Sequence, residues 1–267
     1  ELIETKLRLE NNLDCNQGSR IMVTAGSNMA FLNVLLAITD PGDEVILPLP
    51  YYFNQEMAIR MRNCIPVSVP TDQHFHLKLD ALQAAITPKT RAIVTVSPNN
   101  PSGAVYTEDE LRAVNAMCRE FGLYHISDEA YEYFTYGEIR HFSPGSIPNS
   151  ALYTISLYSL SKAFGFASWR TGYAVFPETL LSTLLKIQDT NLICPPTITQ
   201  HAAIGALQAG SAYCKDQLVT MAQIRTRILS ALASLKPRCE ISNAEGAFYM
   251  LVKLDTPQSA LTIAKQL

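Results

Sequence analysis

Short runs of β-branched and apolar residues alternate with segments of helical periodicity through most of the chain, and this order constrains the fold more than any other feature. The strand-like runs lie at 44–47, 91–97, 124–127, 153–159 and 172–176, and helical patterns lie at 27–38, 52–62 and 107–121. Thr107 and Glu110 have the spacing of a capping box. Because a helix is the usual crossover between parallel strands, the alternation predicts an α/β fold with a mainly parallel sheet, whose ligands lie beyond the carboxyl ends of the strands.

The pattern changes after Pro195 and Pro196. From there the periodicity is helical to about residue 235, and a strand-like run at 247–254 precedes another helix start. We interpret this region as a linker helix that leads into a second, incomplete domain, and we divide the chain into 1–225 and 226–267. The chain starts without an initiator methionine or a signal peptide and stops within a helical pattern, so we expect both ends to be cut.

Composition and charge exclude several classes of protein. With 48% hydrophobic and 17% charged residues, the chain has the balance of a soluble globular protein. A net charge of −3 leaves no basic excess for binding nucleic acid or an anionic membrane surface. The longest apolar stretch, 29–38, contains Asn33 and is far shorter than the roughly 20 residues of a membrane-spanning helix. We therefore expect a small-molecule partner, with no nucleic acid and no membrane.

The cysteines and histidines predict neither a disulfide framework nor a metal site. The six cysteines are scattered without a CxxC pair, which is typical of free thiols in a reducing compartment, and we expect a cytoplasmic protein. The five histidines form no cluster in the sequence. His74 and His76 have alternating spacing, and we interpret both as exposed loop residues.

A lysine closely follows the strand-like run at 153–159. Taken alone, Lys162 would be an ordinary surface lysine, but Ser159 and Ser161 precede it and Arg170 follows eight residues later. Hydroxyl groups and a planar guanidinium are donors that suit a phosphate dianion. A deprotonated lysine beside such a site can form an imine with an aldehyde carried by the phosphorylated ligand, and desolvation with nearby positive charge favours the deprotonated amine.

Two further strand ends carry polar side chains. Asp128 follows the run at 124–127, and Tyr131 comes one helical turn later. Such an aspartate alone usually caps a helix. If it faces a pyridine nitrogen instead, its charge keeps that nitrogen protonated and makes the ring an electron sink, with Tyr131 in reach of the ring's phenolic oxygen. Asn100 lies in the turn signal Ser-Pro-Asn-Asn-Pro-Ser-Gly, which is either only a turn or a rigid donor to the same oxygen.

Two segments near the start of the chain complete the candidate site. Gly26, Ser27 and Asn28 open a helical pattern, so they are either an ordinary N-cap or a phosphate site made of free backbone N–H groups. Tyr52 lies in an aromatic cluster, which is either core or the source of a ring that stacks on a flat cofactor. All of these segments occur in one chain on one α/β scaffold, and their combination favours the functional interpretation.

Together these segments resemble the class I/II aminotransferases, which are fold type I enzymes that use pyridoxal 5'-phosphate (PLP), on the branch of the aspartate, aromatic and kynurenine aminotransferases. The resemblance runs from about residue 18 to residue 254 and is carried by Asn-Asn-Pro-Ser-Gly, Ser-Asp-Glu-Ala-Tyr, Ser-Leu-Ser-Lys-Ala-Phe-Gly and Trp-Arg-Thr-Gly-Tyr. It implies a three-layer α/β/α sandwich with a mostly parallel sheet of about seven strands, followed by the start of a smaller α+β domain.

Carried over by position, the resemblance also implies a cofactor site. Lys162 would hold PLP as a Schiff base and then move the proton between the substrate's α-carbon and the cofactor. Asp128 would pair with the pyridinium nitrogen, and Asn100 and Tyr131 would hydrogen-bond to the phenolic oxygen. Tyr52 would stack on the ring. The groups around the phosphate would be Gly26, Ser27, Asn28, Ser159, Ser161 and Arg170, and the catalytic residues would be Lys162, Asp128 and Tyr131.

The implied function is an aminotransferase that moves an amino group between an L-amino acid and a 2-oxo acid by a ping-pong mechanism, in a homodimer whose partner subunit completes the active site. Carbon-sulfur lyases and cyclopropane-forming synthases share this fold and these motifs, and transcription regulators use a similar domain as a non-enzymatic sensor, so these alternatives stay open. Residues 245–249 resemble the opening of the family's small domain. The arginine for the substrate carboxylate and the tyrosine lent by the partner subunit are expected outside this chain.

Overall fold

The computed structural model describes residues 1–16, 18–235 and 238–266, in which strands and helices alternate. The strands are β1 (Ser19–Thr24), β2 (Glu44–Pro48), β3 (Ile65–Val69), β4 (Thr90–Val96), β5 (Tyr124–Asp128), β6 (Thr154–Ser159), β7 (Gly172–Pro177), β8 (Cys239–Ile241) and β9 (Val252–Leu254). The α-helices are α1 (Leu2–Glu10), α2 (Ser27–Ile38), α3 (Phe53–Met61), α4 (Leu79–Ala84), α5 (Glu108–Phe121), α6 (Leu160–Ala163), α7 (Leu181–Asn191), α8 (Thr197–Ala233) and α9 (Ala260–Gln266). Short 3₁₀ helices occupy Pro144–Ser146, Ser150–Leu152 and Glu178–Leu180.

Within the described ranges, β1 to β7 form one seven-stranded sheet in the order β1-β7-β6-β5-β4-β2-β3, and β8 pairs with β9. Neighbouring strands from β6 to β3 are parallel, whereas β7 is antiparallel to both β6 and β1. Strand β1 therefore runs in the same direction as β6. As a result, the carboxyl ends of β1, β2, β4, β5 and β6 and the amino end of β7 lie at one edge of the sheet.

Helices cover both faces of this sheet because its central strands are apolar on both sides. Helices α2, α3 and α7 pack on the face that includes Val45. On the opposite face, α4 and α5 pack against Ile46 and Ile93, and α1 and α8 pack against Tyr158 and Tyr173. Val45 and Ile46 enter different cores because successive side chains of a strand point to opposite faces. The predicted three-layer sandwich with a mostly parallel sheet is confirmed.

Most predicted element boundaries agree with the structure to within one residue. The capping box is confirmed, since the Thr107 hydroxyl accepts a hydrogen bond from the backbone N–H of Glu110, and the Glu110 carboxylate accepts one from the backbone N–H of Thr107. Strands β1, β3 and β8 were not predicted. At 247–254 the strand is confined to Val252–Leu254, because residues 246 and 247 make their backbone hydrogen bonds to Gly103 and Phe134 instead.

The C-terminal region begins with α8, in which Gly210 has a non-helical backbone conformation with φ of 66°. The predicted division between residues 225 and 226 falls inside this helix and stays a prediction. Lys236, Pro237 and Leu267, which belong to the predicted second domain, lie outside the described residues. None of the helices in the described ranges is both long and apolar enough to cross a membrane. All six cysteines are free thiols, and Cys194 is the exposed one.

One expectation about the histidines is wrong. His74 is exposed as predicted, but His76 is partly buried between two carboxylates, with Nδ1 3.0 Å from Glu110 Oε2 and Nε2 3.5 Å from Glu245 Oε2. Hydrogen bonds to Glu110 and Glu245 raise the pKa of His76 to about 10. Burial alone would raise the pKa of Glu110, but hydrogen bonds from His76 and from backbone N–H groups lower it to about 2. His76, in the loop that precedes α4, thus links this loop with α5 through Glu110 and with the chain after β8 through Glu245.

Replacing His76 tests this contact through its pH dependence. Because the pKa of His76 is raised in the folded state, its stabilisation is complete below about pH 6.5 and is lost as the pH rises through about 10. We expect His76→Gln to lower the free energy of unfolding most in slightly acidic solution, and to match the wild type above about pH 10. Denaturant unfolding across this pH range measures the difference. The matched control is the exposed His74→Gln, expected within about 0.5 kcal/mol of the wild type, and an equal loss for His76→Gln at every pH would contradict the ion pair.

Candidate functional site

A cavity of about 110 Å³ lies at the sheet edge where the carboxyl ends of the parallel strands meet. Its lining consists of Ser27, Asn28, Tyr52, Val96, Asn100, Asp128, Ala130, Tyr131, Ser159, Ser161, Lys162, Ala167 and Arg170. Every predicted site residue except Gly26 belongs to this lining. Gly26 lies beside it, close to the Arg170 guanidinium. The structure therefore brings the predicted residues together, while their roles toward a ligand stay predictions.

Strand direction explains why residues so distant in sequence meet here. Asp128 ends β5 and Ser159 ends β6, and these strands are parallel neighbours. Asn100 follows β4, which lies on the other side of β5. Arg170 precedes β7, which starts at this edge because it runs antiparallel to β6. The first turns of α2 and α3 follow β1 and β2 in the same way.

Lys162 is held by a short helix that starts where β6 ends. The Ser159 hydroxyl accepts a hydrogen bond from the backbone N–H of Ser161 at 3.1 Å and so caps α6. This turn points the lysine across the cavity, where Nζ lies 5.9 Å from the ring centroids of both Tyr131 and Phe248. Among the described residues, Nζ has no hydrogen-bond partner. The amine thus lies in the cavity lining beside two aromatic rings.

Asp128 is only 6% exposed and keeps two neutral hydrogen-bond donors. Its Oδ2 accepts from Gln55 Nε2 at 2.9 Å, and its Oδ1 accepts from the backbone N–H of Ala130 at 3.2 Å. Burial raises the pKa of Asp128 to about 6, and the two hydrogen bonds and the charge of Lys162 act in the opposite direction. A cation placed against this carboxylate would be strongly favoured, because it would offset the cost of burying the charge.

Gln55 was not predicted as part of the site. It is 2% exposed, lies on α3 three residues after Tyr52, and leaves Oε1 without a partner among the described residues. Its signal in the sequence was weak, since a glutamine at a helical spacing from an aromatic residue is usually exposed. Only its hydrogen bond to Asp128 in the folded chain shows that it supports this carboxylate.

Asn100 and Tyr131 form a second polar group in the cavity. Asn100 Nδ2 donates to the Tyr131 hydroxyl at 3.3 Å, and that hydroxyl lies 2.7 Å from the hydroxyl of Tyr249. The turn that presents Asn100 is fixed by Asn99, whose Oδ1 accepts hydrogen bonds from both the backbone N–H and the hydroxyl of Ser102. Burial raises the pKa of Tyr131, so this phenol stays protonated.

The donors predicted to bind phosphate lie at one end of the cavity. Arg170 Nη1 donates to the Ser161 hydroxyl at 3.3 Å and to the Ala167 carbonyl at 2.8 Å, and Nη2 donates to the Ala25 carbonyl at 3.3 Å. Helix α2 starts at Ser27 and directs its first backbone N–H groups toward the same end. A guanidinium, hydroxyls and a helix N-terminus together form a strong anion site. A larger cavity of about 490 Å³ between α1, β1 and α8 contains none of the predicted site residues.

Comparison with known proteins agrees with this geometry. The family model described as aminotransferase class I and II matches residues 1–267. The chain is 34% identical over 255 residues to a probable aspartate/prephenate aminotransferase of Aquifex aeolicus, covering 94% of this chain and 64% of that protein, and 32% identical over 263 residues to an aspartate aminotransferase of Pyrococcus abyssi, covering 95% and 66%. It thus spans slightly less than two thirds of the length of these relatives.

Solved structures give the same result. The aromatic aminotransferase of Pyrococcus horikoshii has a TM-score of 0.93 at 32% identity, covering 99% of this chain and 72% of that one. A double mutant of the Thermus thermophilus aspartate aminotransferase has a TM-score of 0.88 at 34% identity, covering 94% and 66%. Sequence, fold and cavity agree, and the chain belongs to the aminotransferase class I and II family.

Proposed function

We propose that this chain is the cofactor-binding part of a PLP-dependent aminotransferase that transfers an amino group between an L-amino acid and a 2-oxo acid by a ping-pong mechanism. The observation that carries the proposal is that Lys162, Asp128 and Arg170 share one cavity at the sheet edge. An amine, a buried carboxylate and an anion site are the three groups that hold the aldehyde, the ring nitrogen and the phosphate of this cofactor. The names of the relatives support the same reaction type.

The phosphate end fits this cofactor for a steric reason. A Cβ atom at Gly26 would lie 2.3 Å from Arg170 Nη2, and a Cβ at Gly172 would lie 2.6 Å from the Tyr158 carbonyl oxygen and 2.9 Å from Ser27 N. Glycine at both positions therefore lets the start of α2, the end of β6 and the Arg170 guanidinium approach closely. The cradle would hold the phosphate with Gly26, Ser27, Asn28, Ser159, Ser161 and Arg170.

When bound, PLP supplies an aldehyde that reacts with primary amines and a pyridinium ring that stabilises negative charge on a substrate's α-carbon. Asp128 would hold the proton on the ring nitrogen, because that cation compensates its buried charge. Lys162 Nζ would provide the amine for covalent attachment, and it would also carry the α-proton, since it is the amine in the cavity lining. Asn100 and Tyr131 would donate to the phenolic oxygen, and Tyr52 would lie against the ring.

The remaining expectations also belong to this proposal. The substrates would be amino acids and 2-oxo acids, and the assembly would be a homodimer in which a second copy completes the active site, as the family resemblance implies. Residues 1–225 would form the cofactor-binding domain, and residues 226–267 would form the linker helix and the start of the small domain. The free thiols support the reducing environment of the cytoplasm.

Lys162→Ala tests the covalent role directly. After incubation with PLP and reduction with borohydride, we expect the wild-type protein to carry one stable cofactor adduct on the peptide that contains Lys162. We expect the variant to carry none there and to lose half-transamination. Intact mass and peptide mass spectrometry measure the adduct, with Lys186→Ala, an exposed lysine of α7, as the matched control. An equally active Lys162→Ala would overturn the proposal, and release of ammonia and a 2-oxo acid without an acceptor would instead indicate a lyase.

Gly172→Ala tests the cradle. The added Cβ meets backbone atoms of Tyr158 and Ser27, so we expect a loss of roughly 1–3 kcal/mol in the free energy of unfolding, as for other overpacked sites, together with weaker cofactor binding in a titration. Gly205→Ala on α8 is the matched control, because a Cβ there meets nothing within 4 Å, and it should retain or increase stability. Wild-type stability and affinity in Gly172→Ala would show that the close approach is unimportant.

A further inference from the structure

Residues 244–249, which follow the other site residues in the chain, contact the residues that line the cavity. The Tyr249 hydroxyl lies 2.7 Å from the Tyr131 hydroxyl, and the two rings contact each other edge to face with centroids 5.5 Å apart. Phe248 contacts Tyr131 in the same way at 5.4 Å and lies near the Lys162 amine. Neither aromatic residue was predicted as part of the site.

The segment 244–249 is held by its backbone, so the position of Tyr249 is well defined. Gly246 N–H donates to the Gly103 carbonyl at 2.7 Å, Ala247 N–H donates to the Phe134 carbonyl at 2.8 Å, and the Tyr136 hydroxyl donates to the Ala247 carbonyl at 2.7 Å.

The packing leaves no room for a side chain at Gly246, within the segment, or at Gly103, which contacts it. A Cβ at Gly246 would lie 2.6 Å from the Phe134 carbonyl oxygen, and a Cβ at Gly103 would lie 2.8 Å from the Tyr249 carbonyl oxygen. The segment is therefore packed directly against the turn that presents Asn100 and against the chain that follows Tyr131.

The hydrogen bonds of Tyr131 give this contact a chemical consequence. A phenol has one proton to donate and two lone pairs that accept. Asn100 Nδ2 donates to one lone pair at 3.3 Å, and the Tyr249 hydroxyl, 2.7 Å away, can either donate to the other or accept the Tyr131 proton. A bound oxygen that accepts the Tyr131 proton leaves Tyr249 as the donor. With both lone pairs occupied, the Tyr131 proton is left to point elsewhere. Tyr131 is 4% exposed and lines the cavity, so its proton can point toward a ligand there.

We propose that Tyr249 is a positioning residue for the cofactor site: its hydroxyl donates to Tyr131 and directs the Tyr131 proton toward the phenolic oxygen of bound PLP. The inference rests on the proposed function. It also extends the site to residues that follow the linker helix, beyond the strand ends that supply the other groups. Tyr249 acts through Tyr131 and not on the reacting atoms.

The test is the pH at which the visible absorbance of the bound cofactor changes. A hydrogen bond from Tyr131 makes the phenolic oxygen less basic. A more basic phenolic oxygen holds the proton on the lysine–cofactor linkage more tightly, so weaker donation from Tyr131 raises the transition pH. We expect a rise on the order of half a pH unit for Tyr249→Phe, the size of one modest hydrogen bond, and a larger rise for Tyr131→Phe. Because Tyr249 acts through Tyr131, the double variant should match Tyr131→Phe alone.

The controls separate the possible failures. Tyr133→Phe removes another partly buried hydroxyl, which donates to Glu10 and not to the site, and it should leave the transition pH unchanged. Thermal unfolding of each variant identifies any loss of folding. A wild-type transition pH in folded Tyr249→Phe, or shifts that add in the double variant, would overturn the role of Tyr249 alone. Absence of any cofactor absorbance in the wild-type protein would overturn the proposed function instead.

Discussion

The close approach of the chain at Gly172 is the constraint on which the candidate site depends. Gly172 pairs with Ser159 on β6 and with Thr24 on β1, so it lies where the antiparallel strand joins two strands that end at the same edge. The absence of a side chain lets the start of α2 reach the end of β6. The short connection from Lys162 to Gly172 then places Arg170 at this point. The close approach of the chain at Gly172 therefore positions both the Lys162 amine and the anion site around Arg170.

Asp128 and Glu129 are adjacent in the chain, but their carboxylates point in different directions and have different hydrogen-bond partners. Asp128 lines the cavity, where burial raises its pKa to about 6 and its donors are neutral. Glu129, fully buried, points the other way and accepts hydrogen bonds from His141 at 2.8 Å and from Ser143. Burial opposes the charge of Glu129 as well, yet these partners hold its pKa below the ordinary value. Glu129, with a histidine and a serine as partners, supports the fold, whereas Asp128, whose donors are neutral, faces the cavity.

The chain after β8 changes how the site is understood. Motif analysis placed every functional group at the ends of strands in the first part of the chain, and those groups do meet in one cavity. The contacts of Tyr249 with Tyr131, and of Glu245 with His76, tie the later segment to the same region. The geometry of the cavity and the packing of the chain after β8 are therefore coupled, because segment 244–249 takes part in both.

Much of this was available from the sequence, because it depends on local interactions. The period of apolar residues gave the boundaries of α2 and α5, the Thr107 capping box marked a helix start, and the motifs around Lys162, Asp128 and Asn100 gave the main groups of the site. Strand β3 escaped detection because it is a partly exposed edge strand without clear alternation.

The sequence by itself determined the α/β class, the order of the elements and the residues at the strand ends, since propensity, periodicity and turn chemistry act over a few neighbouring residues. Only the tertiary structure decided the sheet order, the antiparallel direction of β7, and the partners of Gln55, His76 and Tyr249. Each of those contacts joins residues far apart in the chain, and such pairs are set by how helices and strands pack, which no local pattern encodes.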